Sequence, residues 1–251
     1  MLSEKYLRLA RIFIAETIGT AILLFINCLG CVDKFEHFKP SIFTASFVAG
    51  IALMVSINSF ATISGAHVNP AVTLGALIFG MISYADAVLF VISQLIGSVF
   101  GHALVRVLID SVYMSHPRNF CVNSPHLEDE KALAIEFIIT FIMMCIVCAV
   151  WDPKNERFQD SASLRIGLTV SVLVLIAGNF SGGCMNPARS FGPAFYNGNW
   201  KNHWIYWVGP MLGSFAASIL FKKVLIEPEK YKGSQNVTHV SGEDEQLEQI
   251  K

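Results

Sequence analysis

One stretch of ten residues occurs twice in this chain. "SGAHVNPAVT", Ser64 to Thr73, returns as "SGGCMNPARS", Ser181 to Ser190, at an offset of 117 residues. Each copy follows a long apolar run, and each turns apolar again after its proline. Proline suits the first turn of a helix, where its missing N–H costs nothing, and asparagine before it is a favoured N-cap. Both copies therefore predict the start of a helix approached by irregular backbone. Only about ten residues follow each Asn-Pro before the next break, too few to cross a bilayer.

The surrounding sequence sets the solvent. Of the 251 residues 53% are hydrophobic and 15% charged, whereas soluble domains carry about 25% charged residues. Six runs approach the roughly 20 residues that span a bilayer core: Leu9–Asn27, Ser41–Ser59, Ala85–Leu108, Ala132–Trp151, Leu164–Asn179 and Trp204–Phe221. The first is read as a retained span and not a signal peptide, because Glu16 lies within it and no A-x-A-like site follows. A net charge of −1 implies no attraction to nucleic acid. An even number of spans puts both termini on one side. Lys5, Arg8 and Arg11 at one end and Lys222, Lys223, Lys230 and Lys232 at the other make that side cytoplasmic. A sequon at Asn236-Val237-Thr238 would then face the wrong compartment for glycosylation.

The repeat extends beyond the boxes. "AETIGTAIL" around Glu16 matches "IEFIITFIM" around Glu136, and "QLIGS" from Gln94 matches "PMLGS" from Pro210. Three spans per half reverse the second copy, so the halves are inverted, an arrangement that puts the functional site at the midplane. Irregular backbone at that depth must be buried in protein or line a water-filled cavity. The two short helices are therefore expected to re-enter from opposite faces and meet, N-terminus to N-terminus. Glu16 and Glu136 occupy equivalent positions, and a carboxylate in a span is costly unless hydrogen-bonded. Each is expected to be a scaffold acceptor for backbone N–H groups of a re-entrant loop.

The boxes Asn69-Pro70-Ala71 and Asn186-Pro187-Ala188, with Arg189 after the second, resemble those of the major intrinsic protein family, the aquaporins. The resemblance spans roughly residues 8 to 225. It implies an all-α membrane protein of six transmembrane helices plus two re-entrant half-helices in an inverted repeat. It also implies a homotetramer with one pore per subunit, most simply in the plasma membrane. Residues 1–8 form a cytoplasmic N-terminus and 9–225 the channel domain, with repeats at about 9–108 and 130–221. Residues 226–251 are read as a polar, disordered cytoplasmic tail.

By this resemblance the two boxes form the central constriction, where the Asn69 and Asn186 amides donate to a passing oxygen. Ala49, Val174, Gly183 and Arg189 form a selectivity filter, with loop 64–80 entering from the cytoplasm and 181–196 from outside. Water-selective members carry an aromatic residue at the Ala49 position and histidine at the Val174 position. Against that, Ser190, Ala194, Tyr206 and Trp207 match the water-channel pattern. The connector "WDPKNERFQDSASLRIGLTV" resembles insect aquaporins that conduct glycerol. The implied function is a passive channel for water, glycerol and urea in a lipid bilayer, excluding protons and ions. A water-only pore and a non-conducting adhesive member of the same fold remain open readings.

No Ser-His-Asp arrangement, metal-ligand set or phosphate loop stands out, so neither an enzyme, a cofactor nor a metal site is expected. His67 and His102 are isolated, and His67 is a candidate for the pore or its gating. Cys145 and Cys148 form a CxxC inside a span with no second ligand pair, which suits helix packing. Cys28, Cys31 and Cys121 lie toward the outer side, with a disulfide among them open.

Overall fold

The computed structural model describes residues 4–32, 40–114 and 116–226. The expected disordered tail, with Lys230, Lys232 and the sequon, lies outside the described residues apart from Ile226. Eight α-helices follow in chain order: α1 (Glu4–Leu29), α2 (Ile42–Ser64), α3 (Pro70–Phe79), α4 (Tyr84–Leu108), α5 (Asp129–Trp151), α6 (Ala162–Ala177), α7 (Pro187–Asn197) and α8 (Ile205–Leu220). Among the described residues the rest is turns, short 3-10 segments and a π-turn at Phe221–Leu225. Six helices are long and apolar enough to cross a membrane, α6 and α8 when taken with their flanking 3-10 and π segments. The chain is therefore an integral, multi-pass, all-α membrane protein.

The helix ends follow local chemistry. Ser41 caps α2 by accepting from the Thr44 N–H at 3.1 Å, and α2 ends at Gly65, whose φ of 90° suits glycine. Ser83 and Asp86 form a capping box at the start of α4. Two helices run past the expected spans. α1 begins at Glu4, because its polar first turns are tied down by an Arg8–Asp86 ion pair of 2.6 Å to α4. α2 continues through Ser64, so the irregular approach to the first box starts one residue later than the sequence suggested.

The packing repeats with the sequence. α1 packs on α4, and its counterpart α5 packs on α8. Small residues make these approaches possible. A Cβ on Gly97 or Gly101 would clash with the backbone of Thr17 or Ala21 in α1, and one on Gly213 with the Phe137 carbonyl in α5. α2 and α6 meet across the two-fold axis of the repeat through Gly50 and Gly167, which are themselves 117 residues apart. A Cβ on Gly167 would stand 2.7 Å from the Gly50 carbonyl oxygen. The same glycine, used twice, closes the interface between the two halves.

Candidate functional site

α3 and α7 are the two short helices, and each begins at its box. Asn69 accepts from the Ala71 N–H at 2.8 Å; Asn186 accepts from Ala188 N–H at 2.9 Å and Arg189 N–H at 3.3 Å. Pro70 and Pro187 stand at the first helical turn. Because each amide oxygen is spent on its own helix, each amide NH2 must point away from it. The Asn69 Nδ2 donates to the Met185 carbonyl at 3.0 Å, and the Asn186 Nδ2 donates to the Val68 carbonyl at 2.9 Å. The boxes thus clasp one another. One N–H of each amide is committed across the pseudo-two-fold, which leaves one per amide for anything passing between them.

The approaching loops are strained and held. Gly65, Ala66 and Val68 have φ of 90°, 46° and 45°, and Gly182, Gly183 and Met185 have 100°, 58° and 53°. The equivalent residues of the two copies adopt the same left-handed conformation. Non-glycine residues there cost about 1–3 kcal/mol each and persist only when their surroundings fix them. Glu16 and Glu136, both fully buried, supply that fixing. Glu16 accepts from Ser64 Oγ (2.7 Å), His67 N–H (3.0 Å), Val68 N–H (2.8 Å) and Gln94 Nε2 (2.9 Å). Glu136 accepts from Ser181 Oγ (2.7 Å), Cys184 N–H (2.9 Å) and Met185 N–H (2.9 Å). Hydrogen bonds to a charged acceptor are worth about 1.5–3 kcal/mol each, enough to offset the loop strain.

A cavity of about 320 Å³ threads between the halves, and both Asn69 and Asn186 line it. Ala49, Val174, Gly183 and Arg189 line the same cavity, as does His67. The structure therefore brings together the residues the sequence singled out for the pore. α2 presents Ala45, Ala49, Leu53 and Ile57 along one stripe, while Phe47 lies on the opposite face, 48% exposed. Gly183 is close-packed as well as left-handed: a Cβ there would meet the Val174 Cα at 3.2 Å. His67 is buried, stacks on Phe90 with ring centroids 4.5 Å apart, and lies 3.3 Å from Thr73 Oγ1 through Nδ1.

Other residues fall elsewhere. Ser190, Ala194 and Tyr206 are buried behind the wall. The Tyr206 hydroxyl donates to the Ser181 carbonyl at 2.8 Å and supports the second re-entrant loop. Trp207 is half-buried and donates to His203 Nε2 at 3.0 Å. Cys148 packs in the core between α5 and α8, as the helix-packing reading expected.

Sequence reasoning missed what holds Arg189. Its Nη1 donates to the Cys121 carbonyl at 3.0 Å and to Asn123 Oδ1, and its Nη2 donates to Asn27 Oδ1 at 3.2 Å. Cys121 is itself fixed to the end of α1 by a disulfide to Cys28, which closes a separation of 93 residues. His102 stands beside this bridge, its Nδ1 3.5 Å from Cys28 Sγ. The three side chains are close enough to suggest a metal site, but both sulfurs are spent on the disulfide and offer no thiolate. The available signal was a polar Asn27 next to Cys28 at the outer end of the first apolar run. Cys121→Ser is expected to lower the thermal midpoint of the purified protein by several degrees, since about 2–4 kcal/mol is typical for a disulfide. An unchanged midpoint in a thermal-shift measurement would show that the bridge contributes nothing.

The fold and this site define a membrane protein with one narrow passage between two inverted halves. The family described as "Major intrinsic protein" matches residues 3–221. The chain is 34% identical over 220 residues to Aquaporin-8 of Mus musculus, covering 86% of this chain and 82% of the mouse protein. It is 38% identical over 190 residues to "Probable aquaporin TIP3-2" of Arabidopsis thaliana, covering 75% and 69%. The aquaglyceroporin structure from Plasmodium falciparum shares the fold, with a TM-score of 0.76 at 21% identity, covering 89% of this chain and 99% of that one. The chain belongs to the major intrinsic protein family, whose members are channels and not enzymes.

Proposed function

We propose that the protein conducts water together with glycerol and urea, and that the 320 Å³ cavity is the path. The carrying observation is the asymmetry of the wall near Arg189. The guanidinium with Asn27 forms one polar side, while Ala49 and Val174 form an apolar one. A strict water filter needs a narrow ring with donors on more than one side. This wall suits a solute with oxygens along one edge and CH groups along the other. The water-channel pattern at Ser190, Ala194 and Tyr206 does not weigh against this, since those side chains lie behind the lining.

In this reading Asn69 and Asn186 each lend one N–H to the passing oxygen. The positive ends of α3 and α7 face the same point and disfavour cations, including the proton. This is the logic already attached to aquaporin-type selectivity. Glu16 and Glu136 are scaffold, and His67 borders the path as a candidate gate. The subunit assembles as a homotetramer in the plasma membrane, with both termini cytoplasmic and the Arg189 mouth outside. Residues 9–225 form the channel domain, flanked by a cytoplasmic N-terminus at 1–8 and a cytoplasmic tail at 226–251.

Reconstituted vesicles test the solute range. Wild type should take up water, glycerol and urea faster than empty vesicles. Val174→His should suppress glycerol by at least about tenfold, the scale on which steric filters reject small increments of size, and water much less. Wild type that conducts water but excludes both solutes would replace this reading with a water-only pore.

A further inference from the structure

We infer that Asn27 is a specificity-determining residue of the pore, donating through its amide NH2 to the oxygens of the permeating solute. The inference rests on reading the cavity as the permeation path. Asn27 sits near the end of α1, is 8% exposed, and lines the cavity beside Leu23 and Cys31. Its orientation is fixed by chemistry. A guanidinium has donors and no acceptor, so the atom 3.2 Å from Arg189 Nη2 must be the amide oxygen. The NH2 then points elsewhere, and among the described residues no group accepts from it. Asn27 Nδ2 is not among the side-chain atoms sealed from solvent without a partner, so it opens on the cavity. On the wall of this cavity the acceptor it lacks is an oxygen in the lumen.

Arg189 has a related geometry. Nη1 and Nη2 are occupied by Cys121, Asn123 and Asn27, whereas its Nε–H has no acceptor among the described residues. Asn27 therefore both anchors the guanidinium and lengthens the row of donors beside it. A single donor cluster would hold one oxygen. Two adjacent ones match the spaced hydroxyls of a small polyol, opposite the apolar Ala49 and Val174. This extends the proposed solute class from shape to hydrogen-bond pattern: neutral solutes bearing two or more acceptor oxygens on one edge, glycerol above all, gain most from Asn27.

The test separates the donor from the anchor. Glycerol and water permeabilities are measured in vesicles for wild type, Asn27→Leu and Asn27→Asp. Asn27→Leu removes the donors and the anchor at similar volume, and its glycerol-to-water ratio is expected to fall roughly fivefold, the worth of one neutral hydrogen bond. Asn27→Asp keeps an acceptor oxygen for Arg189 Nη2 but has no NH2 to donate, and its ratio should fall as far. An unchanged ratio in Asn27→Leu, or a fall in Asn27→Leu that Asn27→Asp does not share, would overturn the inference and leave Asn27 an anchor only. A cryo-EM map of glycerol-soaked wild type gives an arm independent of any variant. An oxygen within hydrogen-bonding reach of Asn27 Nδ2 is expected, and a lumen occupied elsewhere but bare at that amide would also overturn the inference. Failure of the underlying reading looks different, because wild type itself would then exclude glycerol, or pass no more water than empty vesicles.

Discussion

Glu136→Ala should abolish recovery of folded protein, and it should do so more completely than Glu16→Ala. The Glu136 carboxylate is fully buried and accepts from Ser181 Oγ and from the Cys184 and Met185 N–H groups. Its removal leaves three donors in a dry interior, and each unmatched donor costs about 1–3 kcal/mol. The left-handed Met185, with φ of 53°, also loses the contact that fixes it. The summed penalty, about 3–9 kcal/mol, is of the same order as the whole stability of a typical domain. Glu16 accepts from one more donor, yet the first repeat holds a reserve the second lacks. Gln94 donates to Glu16 at 2.9 Å, and its Oε1 is buried with no partner. In Glu16→Ala that oxygen can turn toward the freed loop N–H groups. The equivalent of Gln94 in the second repeat is Pro210, which has no side chain able to accept. Monodisperse yield from size-exclusion chromatography and the thermal midpoint read the difference directly. Equal, near-wild-type yields for both variants would show that the loops hold their shape without the carboxylates.

That asymmetry shows where the sequence was informative and where it was silent. Periodic and duplicated features were legible, because duplication prints the same constraint twice: the boxes, the paired glutamates and the three spans per half. The two short helices were legible from proline and asparagine chemistry alone. Contacts between segments far apart in the chain were not. Nothing in the sequence near Arg189 says that Asn27, Cys121 and Asn123 converge on it, because that meeting depends on how the loop between α4 and α5 folds over the cavity. Even the Gly50–Gly167 contact, which obeys the repeat offset, was hidden, since isolated glycines in apolar helices have many explanations. The mutual clasp of the two asparagines was hidden for a related reason. A sequence shows that an amide can donate, but only the capping geometry shows which of its hydrogens remain available.

Arg189→Val should make the channel leak monovalent cations. Val72 is the equivalent residue in the first repeat, and it lines the same cavity, so the substitution restores the symmetry that the arginine breaks. The fold should tolerate it. Of the acceptors left behind, Asn27 lines the lumen, where water can reach it, and α7 keeps its cap from Asn186. The electrostatic change is much larger than the structural one. A unit charge passing about 4 Å from a fixed guanidinium is opposed by about 4 kcal/mol at an effective dielectric constant of about 20. Its removal could raise cation entry by as much as roughly a thousandfold, at 1.4 kcal/mol per factor of ten. The positive ends of α3 and α7 still face the lumen, so the measured rise should fall short of that ceiling. Arg189→Lys separates charge from geometry. The ammonium still repels cations but loses the planar fork that engages Cys121, Asn123 and Asn27 together. Lysine should therefore keep the membrane tight to ions while lowering the glycerol-to-water ratio. Current recordings and solute uptake on cells with matched surface expression decide the matter. A valine variant that reaches the surface, conducts water and still shows no cation current would remove Arg189 from the filter.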